Sequence, residues 1–281
     1  MNTFAELKNR YIVRGLLQAE EGLHIGTGIP GTDTDAPFIR EGERPFLPGS
    51  SLRGAMRSLM ERLVRSLWGV GACCALFCDA EAGNDCWAGN EKIRKRAEQA
   101  TPDGEDLRRK LATGQGKLCV VCQLFGSTLM AARLKVTDAR LREDTRSKQC
   151  PTPVRRDGVG IDRDTETAKE QIKYNFEVLD RGCAFDFALH LENASDHDLA
   201  LLFILLKEME RGLEVGGKKA RGLGMVKLVS YSVEYFDERW GLARYLTEGM
   251  AKEGKDAFER RLRGKFDALA AAGGPNGQPT R

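Results

Sequence analysis

Residues 11–19, read YIVRGLLQA, combine β-branched and apolar side chains and run into Gly22, Gly26 and Gly28, which predicts a strand entering a loop. After Gly49 the period changes. Leu52, Ala55, Met56, Leu59, Met60, Leu63, Val64 and Leu67 recur at i, i+3, i+4 spacing, the mark of one buried helix face. They predict a helix over Ser50–Trp68 with Ser50 or Ser51 as its N-cap. Ala131–Val136 reads as a second strand. Lys173–Leu179 and Cys183–Leu191 follow, the latter containing FDFALHL, the alternation of a strand half buried in a sheet. A helix opened by Asp196 and running to about Glu210 buries Leu199, Leu202, Phe203, Leu205 and Leu206, and Met225–Tyr235 closes the series as a strand.

The order strand, helix, strand, strand, helix, strand predicts an α+β, ferredoxin-like βαββαβ core, the arrangement used by RNA-recognition domains. It is expected to fill residues 1–236, with an irregular insertion at about 70–122 and a charged hairpin, punctuated by proline and glycine, at about 140–178. Residues 237–281 are expected to form a helical extension with a disordered tail from Gly273.

Charge restricts how such a core could meet nucleic acid. Forty-four basic and 41 acidic side chains leave a net charge of +3, so binding has to come from local clusters at Arg53–Arg65, Lys92–Arg96, Arg108–Lys110 and Lys218–Arg221. The aromatic stacking string of an RNA-recognition motif is absent from the strands, which leaves backbone contacts from loops. The start, MNTFAELKNR, is polar, and the longest apolar run, Leu199–Leu206, is too short to cross a bilayer, so a cytoplasmic protein is expected. With only His24, His190 and His197 present, a histidine-based catalytic site is disfavoured.

Six of the eight cysteines fall in the insertion at 70–122. In a cytosolic chain they point to thiols or metal ligands rather than disulfides. Cys119 and Cys122 are spaced so that both sulfurs reach one tetrahedral ion, and Cys78 and Cys86 form a looser second pair, with Cys73 and Cys74 as alternates. Such a zinc site would be structural, because four thiolates leave no position for substrate. The competing reading is a set of buried free cysteines acting as small hydrophobes.

Three enzyme motifs are approached and missed. Gly26–Gly31 matches G-x-G-x-x-G but leads into Pro30 and further loop instead of a helix. Gly212, Gly217 and Lys218 sit in register with a Walker A loop, yet Lys219 occupies the hydroxyl position and the flanking order is helix, loop, strand. His190-Leu191-Glu192 lacks the downstream P-C-x-x-C of a zinc deaminase. What remains is anion chemistry: Gly49, Ser50, Ser51, Arg53 and Arg57 at the positive end of a helix, and a glycine-rich loop with Lys218, Lys219 and Arg221. Asp33 and Asp35 stand in a loop just before Ala36-Pro37, as turn formers or as carboxylates exposed to a ligand.

Five motifs taken together, GLHIG at 22–26, TDAP at 34–37, PGSSLRG at 48–54, LFG at 124–126 and the glycine-rich 216–224, resemble the RAMP superfamily, specifically the backbone subunit of type III CRISPR effector complexes. They occur in the family's order over about residues 10–235, and the cysteine pairs are similar to the zinc-bearing variants among type III-D and III-E relatives. The resemblance implies a subunit that coats crRNA as a filament with other copies or RAMP paralogues, beside large and small effector subunits. It implies that Ser50, Ser51, Arg53 and Arg57, with Gly216, Gly217, Lys218, Lys219 and Arg221, hold crRNA phosphates, and that the hairpin is a thumb kinking the guide–target duplex. Asp35 matches the family's target-cleaving aspartate, with Asp33 as second candidate and magnesium or another divalent ion as cofactor. The alternative is a structural crRNA-binding subunit without cleavage.

Overall fold

Strand β1 (Arg10–Ala19) turns Tyr11, Val13, Leu17 and Ala19 inward and leaves Arg14 exposed, as its alternation requires. In the computed structural model, which describes residue 4 and residues 6–74, 86–112, 116–142 and 152–275, this strand lies at the centre of the sheet. It pairs antiparallel with β8 (Ala184–Glu192) on one side and β10 (Met225–Phe236) on the other. The strand between α1 (Gly49–Trp68) and β8 is split into β4 (Leu134–Val136) and β5 (Ala139–Leu141), both paired with β8. With α5 (Asp196–Arg211) between β8 and β10, the chain has the expected ferredoxin-like frame.

The sheet is longer than that frame. The hairpin β2 (Arg40–Glu41) and β3 (Arg44–Leu47) extends it beyond β5, β9 (Leu213–Glu214) pairs with the start of β10, and β11 (Ala251–Glu253) covers the β10 edge. The inward strand residues share one core with Leu52, Met56 and Met60 of α1 and Leu202 and Leu205 of α5. Each such fully buried side chain contributes about 1.5–3 kcal/mol. The opposite sheet face carries a groove of about 760 Å³ lined by Arg14, Arg142, Asp186 and His190, where Arg142 is paired with Asp186.

The helix start differs from the expected cap. Pro48 is the N-cap and Ser50 and Ser51 lie inside the first turn; the Gly49 amide donates instead to Asp138 Oδ1, 2.7 Å away, in the break between β4 and β5. Glycine is required here, since a Cβ on residue 49 would stand 2.5 Å from the Val136 carbonyl. α5 is capped by Ser195, not Asp196, and its Asp198 forms a buried pair with Arg133 at 2.5 Å.

Three peripheral units depart from or extend the pattern. The insertion after α1 is more regular than expected: it holds α2 (Glu91–Glu98), α3 (Pro102–Ala112) and α4 (Val120–Phe125). The hairpin is a separate two-stranded ribbon of β6 (Val154–Ile161) and β7 (Ala168–Val178). The extension contributes α6 (Leu242–Glu248) and α7 (Lys255–Ala271), with α7 tied to α5 by Lys207–Glu259 at 2.6 Å and by Phe203 against Phe266. Within the stretch expected as tail, Gly274 lies against the Trp68 indole with no room for a side chain, and residues 276–281 lie outside the described residues.

Candidate metal centre and nucleic-acid interface

Four sulfurs converge where the insertion meets α1. The Sγ atoms of Cys74, Cys86, Cys119 and Cys122 all lie within 4.8 Å of one another, with Cys74 3.4 Å from Cys122 and 3.7 Å from Cys119. Thiolates around one tetrahedral ion at about 2.3 Å stand roughly 3.8 Å apart, so the set fits a metal ion. Hydrogen bonding from Cys122 and the other neighbouring thiols holds the Cys119 sulfur strongly toward the thiolate. The Cys119 amide donates to Cys86 Sγ at 3.2 Å, the orienting contact a ligated sulfur uses. Three of the four expected ligands are here. Cys74, held open in the sequence as an alternate, supplies the fourth sulfur, and Cys78 lies outside the described residues.

The arginines of α1 divide between two tasks. Arg57 is buried: its guanidinium donates to Glu61 at 2.8 Å, to the Gly126 carbonyl at 2.6 Å and to Cys122 Sγ at 3.2 Å. Burial disfavours its charge, but Glu61 and Cys122 outweigh that and hold it protonated. Arg65, two turns on, donates to the Cys74 carbonyl at 2.7 Å. Arg57 is therefore not on the solvent face where a phosphate could meet it, because residues 57, 61 and 65 form the stripe that clamps the insertion. Arg53 is half-buried and donates to the Phe125 carbonyl. Burial and the neighbouring Arg57 lower its pKa.

The outward side of α1 meets the glycine-rich loop. Ala55, Ser58, Leu59 and Arg62 line a cleft of about 270 Å³ with Gly212, Glu214 and Lys219. At the amino end the amides of Ser50 and Ser51 lack intrahelical acceptors, and Ser50 is exposed. Gly54 is also exposed, and a side chain there would meet nothing within 4 Å. Gly216 has φ +83°, its missing Cβ is occupied by the His24 carbonyl, and that same carbonyl accepts from the Gly217 amide at 2.9 Å. The loop is thus set tightly against the GLHIG segment, with Lys219 left exposed.

Lys218 and Arg221 turn the other way, onto β7. Lys218 Nζ lies 4.3 Å from the Phe176 ring centroid and 5.0 Å from that of Tyr174, while Arg221 donates to the Tyr174 hydroxyl. The intervening residue, Asn175, faces the aspartate loop: its Oδ1 accepts from the Asp35 main-chain N–H and its own main-chain N–H donates to Asp35 Oδ2, each at 2.8 Å. Glu177 continues the attachment, accepting from the Phe38 amide at 2.7 Å and pairing with Arg40 at 2.9 Å. Asp33 is exposed and linked to the hairpin through its carbonyl, which accepts from Arg155 at 3.4 Å.

So Ser50, Ser51 and Arg53 share the helix start, Lys219 faces the same helix, Lys218 and Arg221 sit at the hairpin base, and Asp35 is attached to that base by Asn175. Tyr174, Asn175 and Phe176 had no separate signal in the sequence. An aromatic-polar-aromatic triplet in an alternating strand shows that two side chains share a face, not what they touch.

A family model of the RAMP superfamily matches residues 16–227. Among curated relatives, the chain is 26% identical over 251 residues, covering 82% of this chain and 85% of the other, to a "CRISPR system Cms endoribonuclease Csm3" of Methanocaldococcus jannaschii. It is 35% identical over 71 residues, 24% of this chain and 29% of the other, to a protein of the same description from Methanothermobacter thermautotrophicus.

Proposed function

This chain belongs to the RAMP superfamily, and from that membership we propose that it is a crRNA-binding backbone subunit of a type III CRISPR effector complex that cleaves the target RNA paired to the guide. The observation that carries the reading is the cleft shared by α1 and the glycine-rich loop, beside a hairpin that holds an exposed aspartate. In this reading crRNA phosphates meet the Ser50 and Ser51 amides and hydroxyls, Arg53, Arg62, Gly216, Gly217 and Lys219, while Lys218 and Arg221 add positive field from the hairpin base. Bare backbone at Gly54 lets a nucleotide approach the helix closely. Arg57 serves this surface indirectly, by fixing α1 to the insertion.

The four-cysteine set is read as a structural zinc site, the ion that four mutually adjacent thiolates suit best. It would hold together an insertion with little apolar core of its own and anchor α1 through Arg57 and Arg65.

Target cleavage is assigned to Asp35, with Asp33 as second candidate. A carboxylate is a weak base for a ribose hydroxyl, so the role proposed is orientation of the 2′-hydroxyl in line with the phosphorus at a nucleotide kinked by the β6–β7 thumb. Asp35 Oδ1 has no protein partner among the described residues and is available for that contact. A divalent ion such as magnesium would take Asp35 together with RNA oxygens and water and would stabilise developing charge. Sequence specificity lies in base pairing, while the protein reads backbone and shape.

The proposed partners are crRNA, target RNA, further copies or RAMP paralogues, and the large and small effector subunits, in the cytoplasm. Among the described residues no helix is long and apolar enough to cross a membrane. The test is the reconstituted complex with Asp35→Ala. Loss of target cleavage with guide binding intact is the expected outcome, and unchanged cleavage would reject the catalytic assignment.

A further inference from the structure

We propose that Asn175 is the positioning residue for Asp35: its side-chain carbonyl holds the Asp35 backbone of an otherwise exposed loop in the register at which the main-chain N–H of residue 175 receives the Asp35 carboxylate, the orientation that cleavage needs. The inference rests on the reading of Asp35 as the cleaving carboxylate and adds the residue that makes it effective.

Asp35 stands in a loop bounded by Pro30 and Pro37, exposed to solvent, where an aspartate alone would sample several rotamers. Two contacts remove that freedom. The Asp35 amide can only donate, so the group of Asn175 facing it at 2.8 Å must be the carbonyl oxygen, which fixes the orientation of the carboxamide. The main-chain N–H of Asn175 in turn donates to Asp35 Oδ2 at 2.8 Å. The Asn175 side chain thus holds the Asp35 backbone while the main chain of the same β7 residue receives the carboxylate, and Oδ1 has no protein partner among the described residues.

The placement is reinforced on both sides. Ala36 bridges to Phe176 in parallel pairing, the Ala36 carbonyl accepts from the Glu177 amide at 3.1 Å, and Glu177 accepts from Phe38. On the opposite face of the strand, Tyr174 and Phe176 receive Lys218 and Arg221 from the glycine-rich loop. Residues 174–177 therefore couple the cation-bearing loop to the aspartate loop through a single strand. A tether of this kind acts on rate more than on affinity, because a displacement of about 1 Å at a reacting group can cost on the order of 10²-fold.

The experiment uses the assembled complex with its guide and compares Asn175→Ala, Asn175→Asp, Asp35→Ala and the Asp35→Ala/Asn175→Ala double variant. It reads the single-turnover cleavage rate and, separately, target RNA affinity. Asn175→Ala is expected to slow cleavage by roughly 10- to 100-fold with target affinity within about twofold of wild type. Asn175→Asp, which keeps an acceptor for the Asp35 amide, recovers part of the loss, and Asn175→Ala adds nothing once Asp35 is absent. Should alanine disrupt the hairpin, Asn175→Val keeps strand propensity while removing every side-chain acceptor, and the same cleavage loss is expected of it. Wild-type cleavage by the Asn175 variants in a complex that Asp35→Ala inactivates overturns the inference alone. Wild-type cleavage by Asp35→Ala overturns the reading beneath it as well.

Discussion

The guanidinium of Arg57 lies 3.2 Å from the sulfur of Cys122 and 2.6 Å from the Gly126 carbonyl, so the helix assigned to the guide is joined to the four-cysteine cluster by a buried cation. Four thiolates around a divalent ion would leave a net negative charge, and Arg57, fixed by Glu61, would balance part of it. Replacing Arg57 by alanine strips the Cys122 sulfur and the Gly126 carbonyl of this donor and leaves Glu61 with Arg65, 4.0 Å away. Competition with a chelator should show zinc affinity lowered by about 10- to 100-fold, and urea unfolding a loss of about 3 kcal/mol. Arg57→Lys recovers little, since one ammonium cannot span three acceptors. Normal zinc retention and stability in Arg57→Ala would show that the contact is incidental.

The two sets of α1 arginines should separate by salt dependence. Arg62 and Lys219 face a common cleft and are exposed, whereas Arg57 is enclosed. Each phosphate contact to a single strand contributes roughly 0.7 to the slope of log affinity against log salt. Arg62→Ala and Lys219→Ala should each reduce the slope for guide RNA by about that amount. A folded, zinc-loaded Arg57→Leu protein should keep the wild-type slope. Equal slopes for all variants would place the guide elsewhere.

Gly54 offers a test in which stability and binding move in opposite directions. It lies within α1, exposed, with nothing near enough to meet a side chain. Glycine in a helix interior costs about 1 kcal/mol relative to alanine, and no packing contact offsets that here. Gly54→Ala should therefore raise the unfolding free energy by roughly 0.5–1 kcal/mol. Guide RNA affinity, measured on the same preparation, should fall, and more steeply for Gly54→Glu. A stabilised Gly54→Ala protein with undiminished affinity would remove the helix face around residue 54 from the interface.

What the sequence disclosed, and what it hid, follows from the range of the interactions. The core strands and the two long helices were legible because burial imposes a period of two or of i, i+3, i+4 on contiguous residues, as in Phe185–Leu191 and Leu52–Leu67. The cap of α1 was not: the group that satisfies Gly49 is Asp138, 89 residues away, while the nearby serines fall one and two positions inside the helix. The helices of the insertion escaped because Glu91–Glu98 is charged on most sides, although Asn90 caps it through the Ile93 amide. Periodicity placed Arg57 and Arg65 beside Arg53 and Arg62 in one basic cluster. Only their partners, the thiols and carbonyls of the insertion, show that the first two serve the four-cysteine cluster.

The extension beyond β10 carries its own pH limits. Tyr11 donates to Asp237 Oδ2 at 3.3 Å, and Arg261 and Arg239 donate to the same oxygen at 2.9 and 3.1 Å, with Arg261 also paired to Glu253. Burial raises the Asp237 pKa, but Arg239 and Arg261 outweigh it, so the carboxyl titrates below its ordinary value. A depressed folded pKa gives stability that is present above the unfolded value, near 4, and is lost as pH falls through the folded one. Tyr11 moves the other way, pushed up to about 12 by burial and then by Asp237. Its contribution is complete below the unfolded value, near 10, and is lost as pH rises toward 12. Stability measured by denaturant midpoint should hence fall in acid below about pH 4 and again in alkali above about pH 10. Asp237→Asn should weaken the acid loss, because residue 237 no longer binds a proton there, and Tyr11→Phe should weaken the alkaline loss for the same reason at the other end. Both variants should be less stable than wild type near pH 7, where the charged cluster is intact. A Tyr11→Phe protein with the full wild-type alkaline loss would assign that limb to another group, the first alternative being Tyr231, whose hydroxyl donates to Glu259 at 2.8 Å and whose pKa burial also raises.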